Sequence, residues 1–231
     1  MKIINEAISL IISHDRILVD ILIVTFRMAI SSSVISLIIG VPIGIIYGYK
    51  NFTVNKFLVV INRTLMGMPP VVCGLLCYLL FSGVGPLRHL RLLYTVGGMI
   101  IAQVILITPI VIGTIEPYIK RLYPEMKDTL DGIKLKESKK MLLLINESKY
   151  QIITVYLIAF SRAIAEVGAV SMVGGAIIFK TNVMTTAIMN YTNMGDFNMA
   201  MALGIVLLFI SLIVNVIVSI MQLEKWFNLG K

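Results

Sequence analysis

Apolar runs separated by short polar stretches dominate the chain. Five of them reach the roughly 20 residues that a helix needs to cross a hydrocarbon core. They cover about residues 17–48, 57–82, 93–115, 152–178 and 198–222. Each predicts a membrane helix, and together they predict an all-α integral membrane protein. A segment before them, residues 1–16, has Ile4, Ile8, Ile11 and Ile12 at helical spacing and reads as an interfacial helix. Glu6 interrupts any signal-peptide core there, and no small-residue cleavage site follows. Residues 223–231 form a short C-terminal tail.

Small residues mark expected helix contacts. Gly40, Gly44 and Gly48 form one ladder at four-residue spacing, and Ser161, Ala165 and Ala169 form a second. Such spacing lets backbones approach closely, which matters where lipid removes the hydrophobic drive for helix association. Pro42, Pro69, Pro70 and Pro109 fall inside spans and predict bends, either for fit or to line a pathway.

The connections are short except for residues 117–151, a charged block between the third and fourth spans. Pro124 and Glu125 predict a helix start, Met126, Leu130 and Ile133 then share a face, and Gly132 breaks the pattern. A second apolar cluster includes Leu142 and Leu144. The block suits docking into a groove on a partner protein, or lying on anionic headgroups with its lysines.

Composition supports the membrane reading. Of 231 residues 58% are hydrophobic and 14% charged, with mean hydropathy +0.94, against about 25% charged in ordinary globular domains. The net charge of +8 is distributed unevenly. With five spans, twelve basic residues lie on the side of the 117–151 block and five on the other. By the positive-inside rule the block is cytoplasmic, the N-terminus outside and the C-terminus inside.

Charges inside the spans are the chemical candidates. Arg162 and Glu166 lie four apart near the middle of the fourth span, where an isolated charge costs about 2.5–3.5 kcal/mol. They could neutralise and brace, line a translocation path, or supply a proton carrier in Glu166. Arg27 and Arg63 could snorkel or present cationic walls. Gly174, Gly175, Thr181, Thr185 and Thr186 could offer N–H and O–H donors to an oxyanion, or serve only backbone flexibility and back-bonding.

Other chemistry is not expected. Cys73 and Cys77 read as small buried hydrophobes. His14 and His89 complete no hydrolase constellation and no metal cluster is visible. The stretch GIIYGYKN does not meet the phosphate-loop pattern.

The 117–151 block resembles the coupling segment of ABC-transporter permeases of the type I importer (MetI-like) fold, with Gly132 at the motif's glycine and Met126 at its acidic place. SRAIAEVGAVSMVGGAI, TNVMTTAI, MGDFNMAMALGIVLLF and LMGMPPVVCGLLCYLLFSGVGPL are similar to tungstate-type permeases of the molybdate/sulfate/tungstate group. This implies a five-helix permease domain over 17–222 in the plasma membrane, importing a tetrahedral oxyanion, tungstate first and molybdate or sulfate as alternatives. It implies that Met126, Leu130, Gly132, Ile133, Leu142 and Leu144 couple to an ATPase subunit.

The implied partners are a second copy, two ATP-binding cassette subunits and an extracytoplasmic oxyanion-binding protein, with no nucleic acid. ATP and magnesium belong to the partner subunits, so this chain is expected to hold no cofactor and not to be an enzyme. The rivals from other classes are an ion-coupled transporter using Glu166 and a non-transporting scaffold.

Overall fold

A computed structural model describes Ser9, Ser13 and residues 15–50, 53–132 and 136–229. Their regular structure is entirely helical. The interfacial segment expected over 1–16 therefore lies largely outside the described residues.

Helix α1, Arg16–Tyr49, begins at Asp15, whose carboxylate accepts from the N–H groups of Ile17 and Leu18 at 2.9 and 3.1 Å, a side-chain cap for otherwise orphaned donors. It passes Pro42 without ending. Two shorter helices follow, α2 (Thr53–Met66) and α3 (Pro70–Phe81), bent by 99° to one another. The cause is local: Pro69 is extended, and Pro70, lacking an N–H, suits only the first position of a new helix.

Helix α4, Val96–Gly132, spans 37 residues, about 55 Å by helical rise. The sequence predicts a span ending near 115 and a new helix starting at Pro124. Instead one helix runs through Pro109, Pro117 and Pro124 to Gly132. Each proline removes one backbone hydrogen bond while the flanking turns keep theirs, so a long helix can continue. Gly132 is its last described residue.

Helices α5 (Glu137–Glu147) and α6 (Lys149–Ile164) come next, then α7 (Gly168–Gly174), bent by 59° from α6. Helix α8 (Met184–Asn193) is a short element absent from the predicted spans, and α9 (Phe197–Leu229) continues helical into the expected C-terminal tail as far as Leu229. Three helices, α1, α4 and α9, are individually long and apolar enough to cross a membrane; the pairs α2–α3 and α6–α7 qualify only as bent units.

The centre of the fold is the α1–α4 seam. A Cβ built on Gly40, Gly44 or Gly48 would fall 2.8, 2.9 or 2.5 Å from the Cβ of Val111, Ile115 or Ile119 respectively. The glycine ladder thus lies directly on a branched ladder, as its spacing predicts. The paired numbers rise together, so α1 and α4 run parallel. The intervening chain must return across the thickness of the protein, and α2–α3 is the bent unit that carries it back.

A larger cluster joins this seam to α6, α8 and α9. A smaller one holds α3 against α4 and α7 through Cys73, Cys77, Ala102, Leu106 and Ala169. The two cysteines are buried and free, as expected.

Candidate functional site

The break between α6 and α7 gathers the chain's most unusual chemistry. No proline or glycine precedes it. Helix α6 closes with the Ala165 N–H bonded to the Ser161 carbonyl at 3.2 Å, and Glu166 and Val167 leave the helix before Gly168 starts α7. The predicted Ser161–Ala165–Ala169 ladder is therefore split across two helices and forms no continuous stripe. Ala169 packs instead on α3, where a Cβ on Gly74 would meet the Ala169 Cα at 2.7 Å.

Arg162 and Glu166 are paired, at 3.1 Å between Nη2 and Oε2, but with Glu166 in the break rather than on a continuous helix. The second carboxylate oxygen accepts from the Ala169 N–H at 3.3 Å, serving one of the donors that α7 leaves open. The two charges differ in access: the Glu166 side chain is 3% exposed and that of Arg162 38%. The guanidinium therefore borders the accessible side of the break while the carboxylate holds it from within.

Gln103, which sequence reasoning missed, and Thr185, expected as an oxyanion donor, complete the break. In an unbroken helix the Ala163 carbonyl would accept from the Val167 N–H. Here Gln103 of α4, fully buried, donates to that carbonyl at 3.0 Å. From α8, Thr185 Oγ1 donates to the Glu166 carbonyl at 2.7 Å. A buried carbonyl left without a donor is costly in an apolar surrounding, so these side chains make the break tenable. A lone Gln within MIIAQVILI was a legible signal; its partner was not.

The remaining candidate donors are engaged internally. Thr181 Oγ1 donates to the Gly174 carbonyl at 2.6 Å, and Thr186 Oγ1 lies 3.0 Å from both Asn182 Oδ1 and the Val183 carbonyl. A hydroxyl has one proton, and each of the three threonines directs it to an oxygen of this chain. Gly174 and Gly175 are close-packing points: a Cβ would fall 2.7 Å from Met99 Sδ and from the Tyr94 ring respectively, and Gly175 adopts φ +69°. Together these residues knit α7, α8 and the start of α4.

At the opposite, basic end lies the segment predicted to dock a partner. Met126 is half-buried on α4, and Gly132 is the last described residue of that helix. Leu142 is 68% exposed, whereas Leu144 is fully buried in the chain's own core. Leu144 thus anchors α5 and is not available to a partner, a correction that follows from their opposite faces. Ile133 and the side chain of Leu130 lie outside the described residues.

Glu137 ties this region to α1. It accepts from the Tyr49 hydroxyl at 2.9 Å and lies 3.6 Å from Lys50 and 4.0 Å from Lys140. The Tyr49 hydrogen bond first, then the two lysines, hold its carboxyl below the usual carboxylate range.

A second missed carboxylate, Glu116, sits on α4 just past the predicted end of its span. It is buried and pairs with Lys120 one turn on and with Arg63 of α2 at 3.7 Å. Among the described residues no group of three or more His, Cys, Asp or Glu side chains could hold a metal.

Known proteins place this architecture. Over 220 residues the chain is 34% identical to the tungstate uptake system permease protein TupB of Peptoclostridium acidaminophilum, covering 95% of this chain and 96% of the relative. It is 35% identical over 169 residues to the protein of the same name from Campylobacter jejuni, covering 73% and 71%. It is 33% identical over 203 residues to a probable anion ABC transporter permease protein of Haloferax volcanii, covering 86% and 88%. Residues 40–223, which hold both bent pairs, the α6–α7 break and the basic segment, match the family described as binding-protein-dependent transport system inner membrane components, and this chain belongs to that family.

Proposed function

We propose that the chain is the membrane-spanning permease subunit of an ATP-driven importer for a tetrahedral oxyanion, with tungstate as cargo. The observation that carries this reading is the similarity to two permeases named for tungstate uptake, near full-length for one of them. Each bent pair counts as one crossing, giving five in all. The N-terminus then lies outside, and the basic end, with the C-terminus, lies in the cytoplasm.

In this reading α4 is the connecting rod. About 30 Å of its length suffices for the hydrocarbon core, and the remainder, through Met126, Leu130 and Gly132, projects toward an ATPase subunit with the exposed Leu142; Ile133 is assigned to the same contact from the sequence alone. That subunit binds ATP and magnesium, and this chain is not an enzyme. A binding protein delivers the anion at the other face, and a second copy supplies the other wall of the path.

The half-exposed Arg162 offers a dianion a positive charge at the break, and Glu166 fixes its position. The threonines serve the break's framework. A carboxylate that pairs with a guanidinium and also caps α7 is a poor proton shuttle, which favours this reading over ion-coupled transport.

The test is tungstate accumulation in proteoliposomes holding the chain, its ATPase and its binding protein, with ATP compared against an imposed proton gradient. ATP-dependent uptake, lost with ATPase activity retained in Gly132→Trp, is the expected result. Uptake on the gradient alone, abolished by Glu166→Gln, would overturn it.

A further inference from the structure

Helix α2 is held to the fold by few buried side chains. Over Phe57–Met66, only Asn62 is buried. Between this helix, α1 and α4 lies an apolar fissure of about 370 Å³, bordered by Ile61 and Leu65 on α2, Tyr47 on α1 and Ile105 and Pro109 on α4. Across it the polar attachments are few and directed. Asn62 Nδ2 donates to the Pro109 carbonyl at 3.0 Å, and Arg63 reaches Glu116 at 3.7 Å. Both anchor points are on α4.

Glu116 is equipped for a contact that opens and closes. Its carboxylate is buried, so leaving it bare would be costly. It has two cations, and they differ in kind. Lys120 belongs to the same helix and stays beside it however α2 moves. Arg63 belongs to α2, and its side chain is 66% exposed, ready to exchange the carboxylate for water or headgroups. With Lys120 retained, breaking the Arg63 contact strands no buried charge.

We propose that α2 is a moving element of the permease and that Arg63–Glu116 is the releasable strut through which α4 drives it. The inference rests on the proposed function, because the drive comes from an ATPase docked on the same α4. Displacement of α4's far end passes through Glu116 to Arg63, and through α2 to the 99° bend at Pro69–Pro70. Glu116 and Arg63 are positioning residues; nothing requires either to touch the cargo.

The experiment uses the complete reconstituted transporter and reads tungstate imported per ATP hydrolysed. Arg63→Ala leaves Glu116 paired with Lys120 and does not strand it. It is expected to lower the ratio about threefold, a size suited to a half-exposed pair, with ATPase activity retained. Arg63→Lys is expected to restore the ratio, which a merely structural loss of folded protein would not produce. Spin labels at residues 61 and 105, across the fissure, are expected to change separation between nucleotide-free and ATP-bound complexes.

An unchanged ratio in Arg63→Ala, no rescue by Arg63→Lys, or an invariant label distance each overturns the strut. If the unaltered complex imports tungstate on a proton gradient without ATP, the functional reading fails instead. The label distance, measured with and without the gradient, still shows whether α2 moves.

Discussion

Along the α1–α4 seam, three glycines put backbone against branched side chains; at the α6–α7 break, backbone groups are met by side chains of Gln103, Thr185 and Glu166. The seam is apolar, continuous and repeated every turn. The break is polar, single and assembled from four helices. The seam is buried and the break is open on one side, at Ala165 and Val167, yet both answer the requirement that main-chain groups in lipid be satisfied within the protein. The seam does so by leaving its helices intact, the break by substituting side-chain partners for lost helical bonds. Shape complementarity of the first kind resists sliding, since any shift meets the next branched residue. Contacts of the second kind can be exchanged one at a time. The fold thus places a stiff spine beside an articulated span.

Substitutions at the two places should therefore fail differently. The largest effect is expected at Gly48→Leu, whose Cβ would sit 2.5 Å from that of Ile119. Overpacking of this kind costs about 3 kcal/mol, and the outcome is loss of monodisperse protein in detergent chromatography. A well-folded Gly48→Leu protein would show that the seam can slide.

Arg162→Ala strands the Glu166 carboxylate and is expected to destabilise by about 2 kcal/mol, less than the full cost of breaking a buried pair because Arg162 is partly exposed. Arg162→Lys should recover folding, read as thermal stability in detergent, while recovering transport less completely. Equal recovery of both would make the pair a brace only.

Gln103→Leu preserves volume and removes the donor to the Ala163 carbonyl. About 1 kcal/mol of stability is expected to go, in line with hydrogen bonds between membrane helices. The sharper readout is faster hydrogen exchange at residues 163–169 with the α1–α4 seam unchanged. Exchange rising equally in both regions would dissolve the distinction between spine and joint.

The smallest effect concerns α5. Because the Glu137 carboxyl is depressed in the folded state, its contribution is present above its ordinary value and is lost as pH falls through the folded one. Protection of α5 against hydrogen exchange, taken relative to the intrinsic rate at each pH, should fall as pH drops below the ordinary carboxylate range, and Glu137→Gln should remove that step.

The sequence by itself determined the apolar runs, the glycine seam and the bend at Pro69–Pro70. Each follows from local composition or from a residue whose backbone has few options. The pairing of Arg162 with Glu166 was equally legible, since four residues is about one helical turn. Tertiary structure alone decided where the fourth span breaks, because AIAEVGAV contains no residue that forces a break before Gly168; partners from α4 and α8 make leaving the helix tenable. It likewise decided that α4 continues through Pro124, that α8 forms, and that Glu116 faces inward to meet Arg63. Leu142 and Leu144, two positions apart and chemically identical, were divided between solvent and core in the same way. Those outcomes depend on which distant groups arrive to satisfy a carbonyl, a carboxylate or an apolar face, and such meetings are set by packing across the whole bundle.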